Sequence, residues 1–197
     1  MPAQDRSRER VARILDAAAS EFAEHGVEAA TIEAIAERAR TSVGSIYQFF
    51  PNKRALYEAI GDQYLEEVRT LFAALVTEDA VKAPWRDVVR ATIDAFASLH
   101  RTSVTFRAVW SNVVYSRRFF DAGQALNREL AERAETVFAR LAKRKLPPAH
   151  RKLMATVVIE TLSALLLLSQ DRPRAQSDAL VGEAKIIVER YLEPYFD

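Results

Sequence analysis

The chain has 197 residues, 49% hydrophobic and 28% charged, enough for one large domain or a small one joined to a medium one. It contains no Cys, which excludes disulfides and thiolate metal sites and makes a reducing, cytoplasmic location the expectation. Net charge is +1, and residues 1–60 carry 8 Lys+Arg against 9 Asp+Glu, a balance of −1, so a nucleic-acid reading rests on where basic groups lie, not on their total.

Ala, Leu, Glu and Arg are abundant while Gly (5) and Pro (7) are few, which favours helix. Val11, Ile14, Leu15, Ala18 and Phe22 follow the helical spacing i, i+3, i+4, i+7, i+11, and Gly26 supplies a stop. Thr31 is placed to cap a second helix, Ile32 to Ala39, with Glu33 in its first turn. Ser42 is placed to cap a third, Val43 to Phe49. Pro51-Asn52 breaks it, and Asn52 caps a fourth that starts at Lys53 and continues to about Val76. Further helices are predicted from Pro84 to about His100, from a Thr102 or Ser103 cap to about Tyr115, and from about Phe119 to Lys145. The last two are Ala149 to Gln170 and Ser177 to about Tyr195, separated by DRPRAQS. No segment alternates like a strand, so the chain is read as all-α. The run Met154 to Leu168 contains Glu160 and is shorter than the roughly 20 residues of a membrane helix, and the N-terminus has no signal-peptide core.

The most informative stretch is TIEAIAERARTSVGSIYQFFPNK, residues 31–53. A helix-turn-helix needs a small residue where its helices cross, apolar residues facing the first helix, and a capped second helix. Ala36 supplies the first, Ile32, Ile35, Ala39 and Ile46 the second, Ser42 the cap. Ser42, Val43, Gly44, Ser45 and Gln48 then occupy the outer side of the second helix. Ser45 and Gln48 are expected to reach base edges, Gln48 because its amide bonds bidentately to adenine. Gly44 permits close backbone approach. Arg6, Arg8, Arg10 and Arg13 are read as a solvated face, with contact to DNA as the alternative.

Thr31, Ala36, Gly44, Ile46, Tyr47, Phe50, Lys53 and Leu56, at these spacings after an amphipathic first helix, resemble the N-terminal domain of the TetR family of transcriptional regulators over residues 10 to 60. The resemblance implies phosphate contacts from Tyr47, from Lys53 and from the cap Thr31, consistent with the anion affinity of helix N-termini. It also implies a DNA-binding domain at 1–60, joined by a shared helix to a ligand-binding and dimerisation domain at 61–197. The pattern departs from the family at Arg40, where Gly is usual, at Thr41, where an apolar residue is usual, and at Phe49, where His is frequent. A non-Gly residue in a left-handed turn costs energy, which Arg40 offsets if it lies near phosphate.

Two heads about one helical turn apart, about 34–36 Å, read a palindromic operator, so a homodimer is expected. In the family the last two helices form the dimer bundle; here these are residues 149–170 and 177–195. The final helix has two apolar stripes, Leu180, Ala184, Ile187, Tyr191 and Val181, Val188, Leu192, one for its own domain and one for a partner. Phe96, Phe106 and Trp110, with His100, Asn112 and Glu160, are the candidate lining of a ligand pocket, with ordinary core packing as the competing reading. Glu160, inside VVIETLSALLLL, lies at an exposed groove, across the dimer or in the pocket.

The functional expectation is a repressor that binds double-stranded operator DNA and is released by a small-molecule ligand. The alternative is an HTH-type adaptor or structural protein without a ligand. No enzyme, cofactor, metal or membrane association is expected. His25, His100 and His150 are scattered, and there is no Gly-rich phosphate loop or HExxH site.

Overall fold

The computed structural model describes residues 2–77, 79, 82–110, 117–143, 145–170 and 172–197. In chain order the helices are α1 (Pro2–Ala29), α2 (Ile32–Arg38), α3 (Val43–Tyr47), α4 (Lys53–Leu75), α5 (Trp85–Thr102), α6 (Val104–Trp110), α7 (Arg117–Leu141), α8 (Pro148–Leu168) and α9 (Arg174–Phe196). Among the described residues there is no strand, and no helix is long and apolar enough to cross a membrane.

Local chemistry sets the element ends. Gly26 breaks α1 at φ 78°, ψ 158°, a conformation closed to residues with a Cβ. The side chain of Asn52 accepts from Ala55 N–H at 2.9 Å, and Ser103 Oγ from Phe106 N–H at 3.0 Å, so both cap as their sequence positions suggest. The helix after Ser103 was expected to reach Tyr115; α6 is described to Trp110, and Asn112 and Tyr115 lie outside the described residues. The helix expected to run to Lys145 ends at Leu141.

The chain divides into two compact units, Met1–Glu66 with Ser103–Asp121, and Glu67–Thr102 with Ala122–Asp197. The division differs from a single cut near residue 60, because α6 packs on α1 and belongs with the N-terminal helices. Ala108 and Val109 join Ile14, Ala18, Phe22, Ile35, Ile46 and Leu56 in one core. The Tyr57 hydroxyl donates to the Val109 carbonyl at 3.1 Å, and burial pushes its pKa up to about 12. Aromatic rings fill the rest of this junction. Tyr64 lies 5.3 Å from Phe106, which stacks on Trp110 at 6.1 Å. Phe119 fills the space left by Gly61, where an added Cβ would sit 2.9 Å from its ring.

In the second unit α5, α8 and α9 pack together through Ile93, Ala97, Met154, Ala155, Val158, Val181, Ala184, Val188 and Leu192. A ladder of ion pairs fixes the register of α5 against α9. Arg86 meets Glu193 and Asp197, Arg90 meets Glu189, Asp94 meets Lys185, and Arg101 meets Asp178. Each step toward the C-terminus of α5 is a step back along α9, so the helices run antiparallel. Such exposed pairs each add only about 0–1 kcal/mol, but the single swap of sign at Asp94–Lys185 penalises a slipped pairing. At the foot of the ladder Trp85 Nε1 donates to Asp197 Oδ1 at 3.0 Å. With Arg86 on the same carboxylate, the Asp197 pKa falls to about 2.

His100 ends the buried face of α5, and desolvation lowers its pKa from 6.5 to about 4. The folded chain holds it neutral, while the unfolded chain protonates it near pH 6.5. Stability from this group is therefore complete above about pH 6.5 and declines as pH falls toward about 4, by about 3 kcal/mol at the bottom. The carboxylates of Glu24, Glu58, Glu189 and Asp197, all with lowered pKa values, add their own loss below about 4.5. Denaturation measured from pH 7 to 4.5 is expected to show a declining limb that flattens in His100→Leu. An unchanged limb in that variant would remove His100 as its source.

Candidate nucleic-acid interface

The α2–α3 pair is held by local bonds and by one deep anchor. Thr31 Oγ1 accepts from Ala34 N–H at 3.1 Å, and Ser42 Oγ from Ser45 N–H at 3.1 Å, so both caps form. Ala36, with Ile32, Ile35 and Ala39, is buried where the helices cross, and Ile46 is 0% exposed. Phe50 follows it into the core, and Phe49 packs at the margin.

Arg40 occupies the turn at φ 52°, the left-handed conformation expected at this position. The hydrogen bonds there identify the turn type. Thr41 N–H donates to Ala36 O at 3.0 Å and Arg40 N–H to Glu37 O at 3.0 Å, the paired 6→1 and 5→2 bonds of a Schellman motif. Gly is the usual residue at the left-handed position because it has no Cβ to clash. The motif's apolar partner two residues past the cap is Thr41 here.

The outward side of α3 is a small, polar surface. Gly44 and Gln48 are exposed, Tyr47 is 50% exposed, and Val43 and Ser45 are half-buried. A Cβ added at Gly44 would meet nothing within 4 Å, so the fold does not require glycine there.

Lys53 is placed differently from a side chain reaching outward. Its ammonium donates to three carbonyls at the end of α1 and the following turn: Val27 and Glu28 at 2.9 Å and Ala30 at 3.0 Å. The bonds span 23 to 26 residues of sequence and use all three ammonium protons. Nearby, Arg38 is held by Glu24, with both carboxylate oxygens at 2.6–2.7 Å, and by the buried Glu21 at 3.0 Å. The pairing lowers the Glu24 pKa. Glu21, Glu24 and His25 lie close enough to share a cation, but Arg38 already occupies the carboxylates.

Of the proposed ligand-lining residues, Phe106 and Trp110 stack in the first unit, whereas Phe96, His100 and Glu160 belong to the second. Phe96 packs on Phe72 at 6.4 Å. Glu160 accepts from the side-chain amide of Asn127 at 3.1 Å, an α7–α8 bond within the protomer, which selects none of its three expected positions outright. Asn112 is outside the described residues. A feature missed by the sequence reading is a half-open cleft of about 350 Å³ lined by Phe72, Ala73, Val76, Arg133, Val137 and Arg140. No motif marks it, because its walls come from two helices about 60 residues apart.

Residues 14–60 match the family model described as "Bacterial regulatory proteins, tetR family", and residues 84–192 match "Tetracyclin repressor-like, C-terminal domain". The HTH-type transcriptional repressor KstR of Mycolicibacterium smegmatis is 43% identical over 58 residues, 29% of this chain and 28% of that protein's length. The HTH-type transcriptional activator FasR of the same organism is 28% identical over 179 residues, 88% of this chain and 79% of that protein. A solved TetR-family transcriptional regulator from Streptomyces coelicolor superposes with a TM-score of 0.62 at 27% identity, covering 94% of this chain and 99% of that one.

Gly44→Ala should leave the fold intact and raise stability by roughly 0.5–1 kcal/mol, since glycine costs entropy in a helix and the added methyl meets no neighbour. Thermal unfolding of the two proteins measures this; a clear loss of stability would mean that Gly44 serves the fold after all.

Proposed function

Because the chain belongs to the TetR family of transcriptional regulators, we propose that it is a homodimeric, sequence-specific DNA-binding repressor, released from a palindromic operator when a small molecule binds its C-terminal body. The observation that carries the DNA-binding reading is the face of α3: Ile46 locks the helix from inside, while Gly44, Tyr47 and Gln48 stand outward. Glycine lets the backbone approach a groove. Ser45 and Gln48 offer hydrogen bonds to base edges, and the Tyr47 hydroxyl and the Thr31 and Ser42 caps border the same surface. It is a regulator and not an enzyme, and its place is the cytoplasm, where the operator is.

Dimerisation is supported by apolar side chains that the protomer leaves uncovered. Val181, Ala184, Val188 and Leu192 of α9 face inward, whereas Ile186 and Ile187 are 53% and 45% exposed. On α8, Leu153, Val157 and Leu168 are also exposed, at positions that repeat along one side of the helix. A two-fold partner that covers these residues would also set the spacing of the two heads. Ligand control needs a molecule that binds one spacing better than the other; affinity alone shifts nothing.

The purified protein should retain a duplex carrying its own upstream region and release it when the cognate small molecule is added. No preference for any duplex at low salt would end the DNA-binding reading; binding that no metabolite fraction affects would favour an adaptor without a ligand. Gln48→Ala and Ser45→Ala are expected to change base preference, and Gly44→Ala to lose affinity despite its intact fold. Ile187→Glu combined with Val157→Glu should give monomers by sedimentation and weaken operator binding. A dimer that persists in the double variant would place the interface elsewhere.

A further inference from the structure

The basic side chains closest in sequence to the reading helix are Arg38, Arg40, Lys53 and Arg54. Two of them, Arg38 and Lys53, are committed within the protein, and Arg54, 72% exposed, has one i, i+4 pair on the surface. Arg38 is held by Glu21 and Glu24, Arg54 by Glu58 at 3.0 Å, and Lys53 by three backbone carbonyls. Arg40 has neither an ion pair nor a side-chain hydrogen bond to any described residue, and its side chain is exposed two positions ahead of the Ser42 cap. It also stands at φ 52°, where glycine would be unstrained. A strained residue at the edge of a binding surface is a reason to look for a function in its side chain.

Moving Lys53 to a phosphate would leave the carbonyls of Val27 and Ala30, both partly buried, without this donor. The same three bonds tie the first residue of α4 to the turn that leads into α2, and so hold the frame on which α2 and α3 are mounted.

We infer that Arg40, and not Lys53, is the basic side chain that contacts phosphate in this head, and that Lys53 is a positioning residue that acts through the α1–α2 turn. The inference rests on the DNA-binding reading above and assigns roles within the same surface. It departs from what the family resemblance implies, in which Lys53 is itself a phosphate ligand, and it turns the expected nearness of Arg40 to phosphate into that side chain's role.

The experiment measures operator affinity against salt concentration for the wild type, Arg40→Gly and Lys53→Met, with unfolding temperatures alongside. Each lost phosphate contact makes the slope of log K against log salt shallower by about 0.9 per head. Arg40→Gly should become shallower by that amount while unfolding no earlier than the wild type, since glycine suits the turn. Lys53→Met should unfold earlier and bind several-fold more weakly at every salt concentration, with the slope of the wild type. Lys53→Arg covers the case in which the methionine variant does not fold. It keeps the charge, so a phosphate role predicts near-normal affinity, whereas a planar guanidinium matches three converging carbonyls poorly, and a positioning role predicts a lower unfolding temperature and weaker binding. A shallower slope in Lys53→Met, an unchanged slope in Arg40→Gly, or normal affinity and stability in Lys53→Arg overturns the inference. A wild type that binds no duplex overturns the function itself, an outcome distinct from any of these.

Discussion

A helix of five residues has no stability of its own; isolated helices shorter than about 12–15 residues are marginal in water. The position of α3 therefore depends on what lies beneath it. Ile46 sinks completely into a core made by α1, α2, α4 and α6, and Phe50 closes the exit. The cap at Ser42 and the Schellman turn at Ala39–Thr41 satisfy the backbone at the approach to the helix. With the inner side so fixed, the outer side is free to be almost anything, and in this chain it is glycine, tyrosine and glutamine.

The same economy explains why the N-terminal unit recruits a helix from the middle of the chain. Residues 14–60 must cover Ile14, Phe22, Ile35 and Ile46 from a short sequence, and α6 supplies Ala108 and Val109 as the missing wall. The Tyr57–Val109 hydrogen bond pairs a buried hydroxyl across this join. In the second unit the task is register rather than coverage, and the α5–α9 charges perform it at little cost to the core.

What the sequence made legible was mostly local. Thr31, Ser42, Asn52 and Ser103 cap the helices they precede because a cap acts across three residues. The left-handed turn at Arg40 followed from the family resemblance, in which glycine is usual at that position. Long-range partners had no comparable signal. Nothing in the neighbourhood of Lys53 points to carbonyls 23 to 26 residues earlier, and an i, i+4 aromatic pair such as Phe106–Trp110 has the same spacing in a filled core as in a cavity wall. Nor did apolar periodicity divide the last helix correctly. Ala184, grouped with Ile187, lies with Val181 and Val188 on the inner side, because the stripes are adjacent and only packing separates them.

The commitment of basic groups inside the N-terminal unit also bears on how the protein finds its target. Non-specific attraction to DNA comes from neutralised phosphates and their released counterions, and it is what allows a protein to slide along a duplex. A head with a balance of −1, whose Arg38 and Lys53 are engaged by its own acceptors, leaves that attraction to a few exposed groups, Arg40, Arg54 and the arginines of α1, set among as many acidic ones. Its residence on irrelevant sequence should be shorter than that of a head with a large positive balance. Less of the protein is then sequestered on bulk chromosome, and recognition depends on the fit of a small surface rather than on accumulated charge.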